Sequence, residues 1–204
     1  GAFSVAGLST WGFTAEAPKT IKLGSSCSLT GPFGSGGAMC KAGYEIAIEH
    51  INAKGGVFVK EFNKKIPLEL ILLDDESNFT LTVSRMESLY TSHDVVAYLG
   101  GFSSPMHAAQ APIAEKNKVP LLMVGTYLYS THQKGYKCNF SPFPKSPDCA
   151  KAVFDILDTI PAAQKPKKVA IFMEKAPVGM ELGDLWKDES VKHGYGEALY
   201  KEQP

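Results

Sequence analysis

Apolar residues along the chain fall into short unbroken runs that alternate with longer segments spaced by three and four, the grammar of strands followed by helices. Residues 20–26 open the series as a strand. Residues 38–53 then place Met39, Ala42, Ile46 and Ala47 on one helical face and Lys41, Glu45 and Glu49 on another, with Gly55 and Gly56 as the stop. A second strand is expected over 66–73. After it, Asn78 is placed to cap a helix that carries Phe79, Val83, Met86 and Tyr90. The run 95–99 is continuously apolar, as expected of a parallel strand covered by helices on both faces. A helix over 108–116 and a fourth strand over 119–124 follow. Further on, the pattern predicts helices over 149–160 and 179–193 and strands over 169–173 and 197–200.

This alternation predicts an α/β fold with parallel sheets. The Pro-, Ser-, Lys- and Cys-rich stretch 136–147 reads as a crossing between two lobes. The expected division is a leader over 1–17, an N-terminal ligand-binding lobe over 18–143 and a partial C-terminal lobe over 144–204. Two strands and two helices do not close a covered parallel sheet, so the second lobe is expected to be incomplete in this chain.

The candidate chemistry gathers where strands end. Gly100 and Gly101 after the central strand are expected to let the backbone turn sharply, delivering Ser103 and Ser104 to a helix N-terminus. The next strand finishes in Gly125, Thr126 and Tyr127. Consecutive strand ends with small and hydroxyl-bearing residues offer amides, hydroxyls and room to a polar ligand. The glycine-rich stretch 31–37 fits neither a dinucleotide fingerprint, which would need Gly or Ala at Met39, nor a P-loop, and reads as a flexible rim loop. Asp74, Asp75 and Glu76 follow the second strand and read as a solvated turn.

Composition narrows the classes. The chain has 204 residues, 44% apolar, with Lys+Arg and Asp+Glu both 21, so no net field draws it to nucleic acid or an anionic membrane, and no stretch is long enough to span a bilayer. Scattered histidines and the lack of a C-x-x-C argue against zinc. Cys27 and Cys40 read as buried free thiols; Cys138 and Cys149 flank a Pro-rich loop and are either a disulfide that clips it or two unrelated thiols. Residues 1–17, mildly apolar and ending Ala15-Glu16-Ala17, read as the remnant of a secretory signal peptide or a disordered leader.

Several short motifs in one order carry a resemblance. Ile21-Lys22-Leu23-Gly24, Leu29-Thr30-Gly31-Pro32, Ile48-Glu49-His50-Ile51-Asn52-Ala53-Lys54-Gly55-Gly56, Leu73-Asp74-Asp75-Glu76, Gly100-Gly101-Phe102-Ser103-Ser104, Ala111-Pro112-Ile113-Ala114-Glu115 and Lys118-Val119-Pro120 resemble the branched-chain amino-acid-binding family of periplasmic solute receptors, from about residue 18 onward. The resemblance implies the type 1 periplasmic-binding fold of two Rossmann-like lobes, a cleft that closes on a small solute, and delivery to an ABC transporter permease. It implies a periplasmic or extracellular place, no catalysis, no metal and no cofactor. By position it assigns Ser103 and Ser104 to the ligand's carboxylate, and Gly125, Thr126 and Tyr127 to its carboxylate and ammonium. Gly36 and Val178 stand where relatives often carry aromatic pocket walls, which opens the solute to another amino acid, an amide or an aromatic acid.

Two other readings stand beside it. A ligand-sensing receptor domain would share this fold. Gly101-Phe102-Ser103-Ser104-Pro105 also resembles the nucleophile elbow of an α/β hydrolase, with Ser103 as nucleophile, but Pro105 replaces the final glycine, and His107 lies four residues along the same helix, badly placed as a base.

Overall fold

The computed structural model describes residues 16–195 and the backbone of 199–203. The expected leader therefore falls almost wholly outside the described residues, as do Glu197 and its neighbours at the start of the last expected strand. The chain runs β1 (Ile21–Cys27), α1 (Gly34–Ala53), β2 (Val57–Val59), β3 (Lys64–Ile66), β4 (Leu68–Asp74), α2 (Phe79–Thr91), β5 (Ala97–Leu99), α3 (Ser104–Asn117), β6 (Leu121–Leu122), α4 (Tyr129–His132), β7 (Asn139–Phe140), α5 (Ser146–Asp158), β8 (Ala170–Glu174), α6 (Pro177–Lys192) and β9 (Leu199–Gln203).

Five strands form one parallel sheet in the order β4-β1-β5-β6-β7. β8 and β9 form a separate parallel pair; α6 packs on β8, and α5 packs on α6. β7 lies inside the stretch expected to be a crossing: its carbonyls at Cys138 and Phe140 accept from Leu121 and Met123, extending the first sheet before the chain leaves it. The short hairpin β2-β3 lies outside the strand pattern expected from the sequence. Pro67, with no N–H to give, separates Ile66 on β3 from β4.

The core lies on one face of the large sheet. Met86 and Leu89 of α2, Ala114 of α3, and Val95, Tyr98, Val119, Leu121 and Met123 on or beside the strands form a single buried cluster. Tyr98 Oη, inside it, donates to the carbonyl of Met86. The inward face of α2 is Thr82, Met86 and Leu89, whereas Phe79 and Tyr90, expected inside, are exposed. Position 82 wins because its hydroxyl joins a buried polar cluster.

The other face is covered unevenly. α1 lies over β4 and β1, and the register that buries Tyr98 and Leu121 turns Leu122 and Phe140 outward, where both are exposed. Val96 is likewise exposed, so the 95–99 run is not covered on both sides by the described helices, and only its last three residues pair as a strand.

α1 departs most from expectation. It begins at Gly34, taking in residues first read as a flexible rim loop, and Met39 and Ile46 of its expected inner face are both 68% exposed. The reason is steric and polar together. A Cβ on Gly37 would overlap the carbonyl of Ser28, so only glycine lets the first turn settle on the end of β1. That contact rotates Cys40, Tyr44 and Ile48 inward; Tyr44 Oη then donates to Gly100 O at 2.5 Å and Cys40 Sγ approaches Gly101 O at 3.7 Å.

The acidic triplet also departs from a solvated turn. Glu76 is exposed, but Asp75 is 1% exposed and accepts from Ser28 Oγ (2.6 Å), Ser26 Oγ (3.1 Å) and Ser77 N (3.1 Å). Ser26 Oγ also bonds Thr82 Oγ1, which accepts from Gln110 Nε2. Asp74 accepts from Leu29 N and Thr30 Oγ1. These bonds tie the loops after β1 and β4 to α2 and α3. Asn78 does cap α2, its Oδ1 accepting from Thr80 N and Leu81 N at 2.9 Å each.

Candidate functional site

The ends of β1, β5 and β6 meet at one edge of the sheet, and the expected site residues lie there. Gly100 and Gly101 leave β5, but neither has a positive φ. They serve close approach instead. A Cβ on Gly101 would stand 2.7 Å from Ser26 O and 3.1 Å from Cys27 Cα, and one on Gly100 would overlap the His107 ring. The sharp turn falls on Ser103, at φ 79°, ψ 144°.

α3 starts immediately after. Helix geometry leaves its first amides without intrahelical acceptors, and Pro105 in the first turn removes one of them, so those of Ser104 and Met106 remain. Ser103 Oγ, on a residue only 9% exposed, makes no cap bond and has no partner among the described residues. That is a buried hydroxyl beside unpaired amides at the positive end of a 14-residue helix.

The loop after β6 reaches the same place. Ser104 Oγ accepts from Thr126 Oγ1 and from Tyr127 N, both at 3.2 Å, so Ser104 and Thr126 converge from adjacent strand ends. Both are buried and spend their hydroxyls on each other, and the Tyr127 amide is taken as well. Gly125, at φ 62°, makes the turn; Tyr127 is exposed, its ring edge-on to Phe143 at 6.1 Å.

Gly36 sits in the first turn of α1 and Val178 in the first turn of α6. The space over Gly36 is filled from another element: the Phe102 ring lies where a Gly36 Cβ would be, and its other edge is 3.4 Å from a Cβ position on Gly125. An apolar depression of about 380 Å³ opens beside it, lined by Gly36, Met39, Cys40, Tyr44, Phe102 and Val124. Sequence reasoning passed over Phe102; glycines at both 36 and 125 were its only signal.

Glu181 was also missed. One turn into α6, its carboxylate accepts from Tyr129 N at 2.7 Å, Ser130 N at 3.1 Å and Ser146 Oγ, and Ser146 N donates to Tyr127 O at 2.8 Å. Burial pushes the Glu181 pKa up, but the bonds from Ser146, Ser130 and Tyr129 outweigh it and hold the carboxyl below its usual range.

The hydrolase geometry is not formed. His107 Nδ1 is bonded to the Ser103 carbonyl at 2.7 Å, not to Oγ, and Nε2 has no partner among the described residues. Cys138 and Cys149 are free thiols rather than a disulfide: Cys138 belongs to the segment on Glu115, whose carboxylate accepts its amide, while Cys149 is carried on α5. Cys27 is buried as expected; Cys40 is half-buried at the depression. Among the described residues no group of three His, Cys, Asp or Glu side chains is placed to hold a metal, and no helix is long and apolar enough to cross a membrane.

A family model described as periplasmic binding protein matches residues 20–200. Over 202 residues the chain is 26% identical to the Leu/Ile/Val-binding protein homolog 7 of Brucella abortus (strain 2308), covering 99% of this chain and 45% of that protein. The chain thus spans about half the length of the curated relatives it matches. A periplasmic binding protein type 1 from Bordetella pertussis Tohama I superposes with a TM-score of 0.73 at 25% identity, over 90% of this chain and 48% of that one. The branched-chain amino acid transporter substrate-binding protein LivJ from Streptococcus pneumoniae, solved with isoleucine, superposes with a TM-score of 0.70 at 23% identity, over 90% and 49%.

Proposed function

From a chain that belongs to the periplasmic binding protein family, we propose a part of an extracytoplasmic solute receptor that serves an ABC importer and binds an amino acid or a related small polar solute. The family is one of solute-binding proteins, not enzymes. In this reading residues 18–143 hold the polar head of the solute, residues 144–204 contribute to the second lobe, and the cleft lies between them. Ser103, Ser104, Gly125, Thr126 and Tyr127 form the polar end.

One observation carries the reading: the Ser103 hydroxyl, unpartnered among the described residues, stands at the N-terminus of α3, whose first amides have no intrahelical acceptor. An anion there is recognised by neutral donors and the helix dipole, without lysine or arginine. Ser104 and Thr126 shape the floor by bonding each other, so their part is to fix the two loops. Phe102 and the apolar depression beside it suit an uncharged side chain. The permease partner follows from the kind of receptor and not from a surface of this chain.

The test is calorimetric titration of the full-length protein against L-leucine, L-isoleucine, L-valine, their amides and aromatic acids. Ser103→Ala removes one hydrogen bond to a charged group, worth about 1.5 to 3 kcal/mol, and should weaken the best ligand by roughly ten- to a hundredfold. Its thermal midpoint should hold or rise, since an orphan hydroxyl has been deleted. Unchanged affinity in Ser103→Ala would move the polar site elsewhere.

A further inference from the structure

The turn that presents Ser103 is in an unfavourable backbone state, and one side chain bonds to it directly. Ser103 has a Cβ yet sits at φ 79°, a region that glycine enters freely and serine does not. Such a state persists only where the surroundings over-determine it. Two donors converge on the Ser103 carbonyl: the His107 amide at 3.2 Å and His107 Nδ1 at 2.7 Å. Because Nδ1 faces a carbonyl, it carries the proton, and Nε2 is left as a bare acceptor with no partner among the described residues.

The ring has nowhere else to go. It is 1% exposed, and its Nε2 edge lies against Gly100, where any Cβ would overlap it. One imidazole therefore braces both ends of the turn, Gly100 by contact and Ser103 by hydrogen bond. Burial pushes its pKa down to about 4, with His132 adding to the effect, so the neutral ring with Nδ1–H is the working form near neutrality.

We infer that His107 is a positioning residue that fixes Ser103 at positive φ, so that Ser103 Oγ and the first amides of α3 point at the solute's anionic group. The inference rests on the reading of the α3 N-terminus as the polar site. It is separable from a packing role because the donor can be kept or removed in side chains of the same shape.

His107→Leu has the branched outline of asparagine and deletes both the donor and the orphan acceptor; a role in packing alone leaves its turn and its affinity the same as those of His107→Asn. Positioning instead makes amide hydrogen exchange over residues 100–107 in His107→Leu about tenfold faster or more, and weakens L-leucine by about tenfold. His107→Asn, whose Nδ2 occupies the place of Nδ1, loses stability through the hollow it leaves, yet keeps exchange and affinity within about threefold of wild type. Wild-type exchange over 100–107 in His107→Leu overturns the inference, as does a turn loosened equally in both variants. Exchange is measured without ligand and so decides the role of His107 alone. If His107→Leu loosens the turn while it and Ser103→Ala both bind L-leucine like wild type, His107 positions the turn and the reading of the site falls.

Discussion

Asp75 is the sharpest place to test how the loops beneath the site are held. Its carboxylate is buried and rests on three donors, Ser28 Oγ at 2.6 Å, Ser26 Oγ at 3.1 Å and Ser77 N at 3.1 Å. Each such bond contributes about 1.5 to 3 kcal/mol, and only the bonds lost without replacement count toward the cost of a substitution. In Asp75→Ala, Ser26 keeps its bond to Thr82, whereas the Ser28 hydroxyl and the Ser77 amide lose this partner and a small void remains. Together these set a cost of about 3 to 5 kcal/mol. For a chain of this size that is roughly 10 °C in the thermal midpoint. Asp75→Asn keeps the shape, retains one acceptor for Ser28, and lets Ser26 Oγ accept from the new amide, so it should cost only about 1 to 2 kcal/mol. Urea unfolding of both variants and of Ser28→Ala, alone and combined with Asp75→Ala, gives the coupling directly. A cost under about 1 kcal/mol for Asp75→Ala, or Asn no better than Ala, would show that the cluster does not hold the loops.

Gly37→Ala forces a methyl into the Ser28 carbonyl, and should shift α1 off β1 at a cost of about 2 kcal/mol or more; denaturant midpoints check it against Gly43→Ala, whose Cβ meets nothing within 4 Å. Glu181→Gln replaces an acceptor of three donors by one with a single acceptor oxygen, so trypsin should cut the 128–146 segment faster while the α2–α3 core keeps its exchange protection. The pH dependence follows from His107, whose folded pKa of about 4 lies below its unfolded value of 6.5. The unfolded chain therefore binds more protons between those values, and stability falls as pH drops from about 6.5 to 4, by on the order of 3 kcal/mol from this group. Unfolding midpoints at pH 7 and pH 4.5 should fall further in wild type than in His107→Asn; equal falls would deny the contribution.

The alternation of runs and helical segments was enough to read a parallel α/β chain, because the period of apolar residues is set by each element alone. Which face turns inward was not legible where polar handles decided it. Tyr44, Thr82 and Asp75 turn inward because each finds partners from segments 47 to 56 residues away, and no local pattern announces such a partner. The site stretch was legible as a strand end, a turn and a helix N-terminus. The sequence suggested that Gly100 and Gly101 make the turn, yet the strained residue is Ser103, since glycines needed for close approach look the same as glycines needed for positive φ. Phe102 and Glu181 escaped for a related reason: each acts on an element distant in the chain.

The Phe102 ring wedged over Gly36 has a consequence for how the pocket can change. Enlarging residue 36 alone collides with the ring, and shrinking residue 102 alone hollows the wall, so each single step runs downhill. The two positions can exchange bulk only together, as in Gly36→Phe with Phe102→Ala. Specificity at this wall is thus governed by an epistatic pair. A library that varies one position at a time would record both as intolerant and miss the pocket that lies on the other side of the swap.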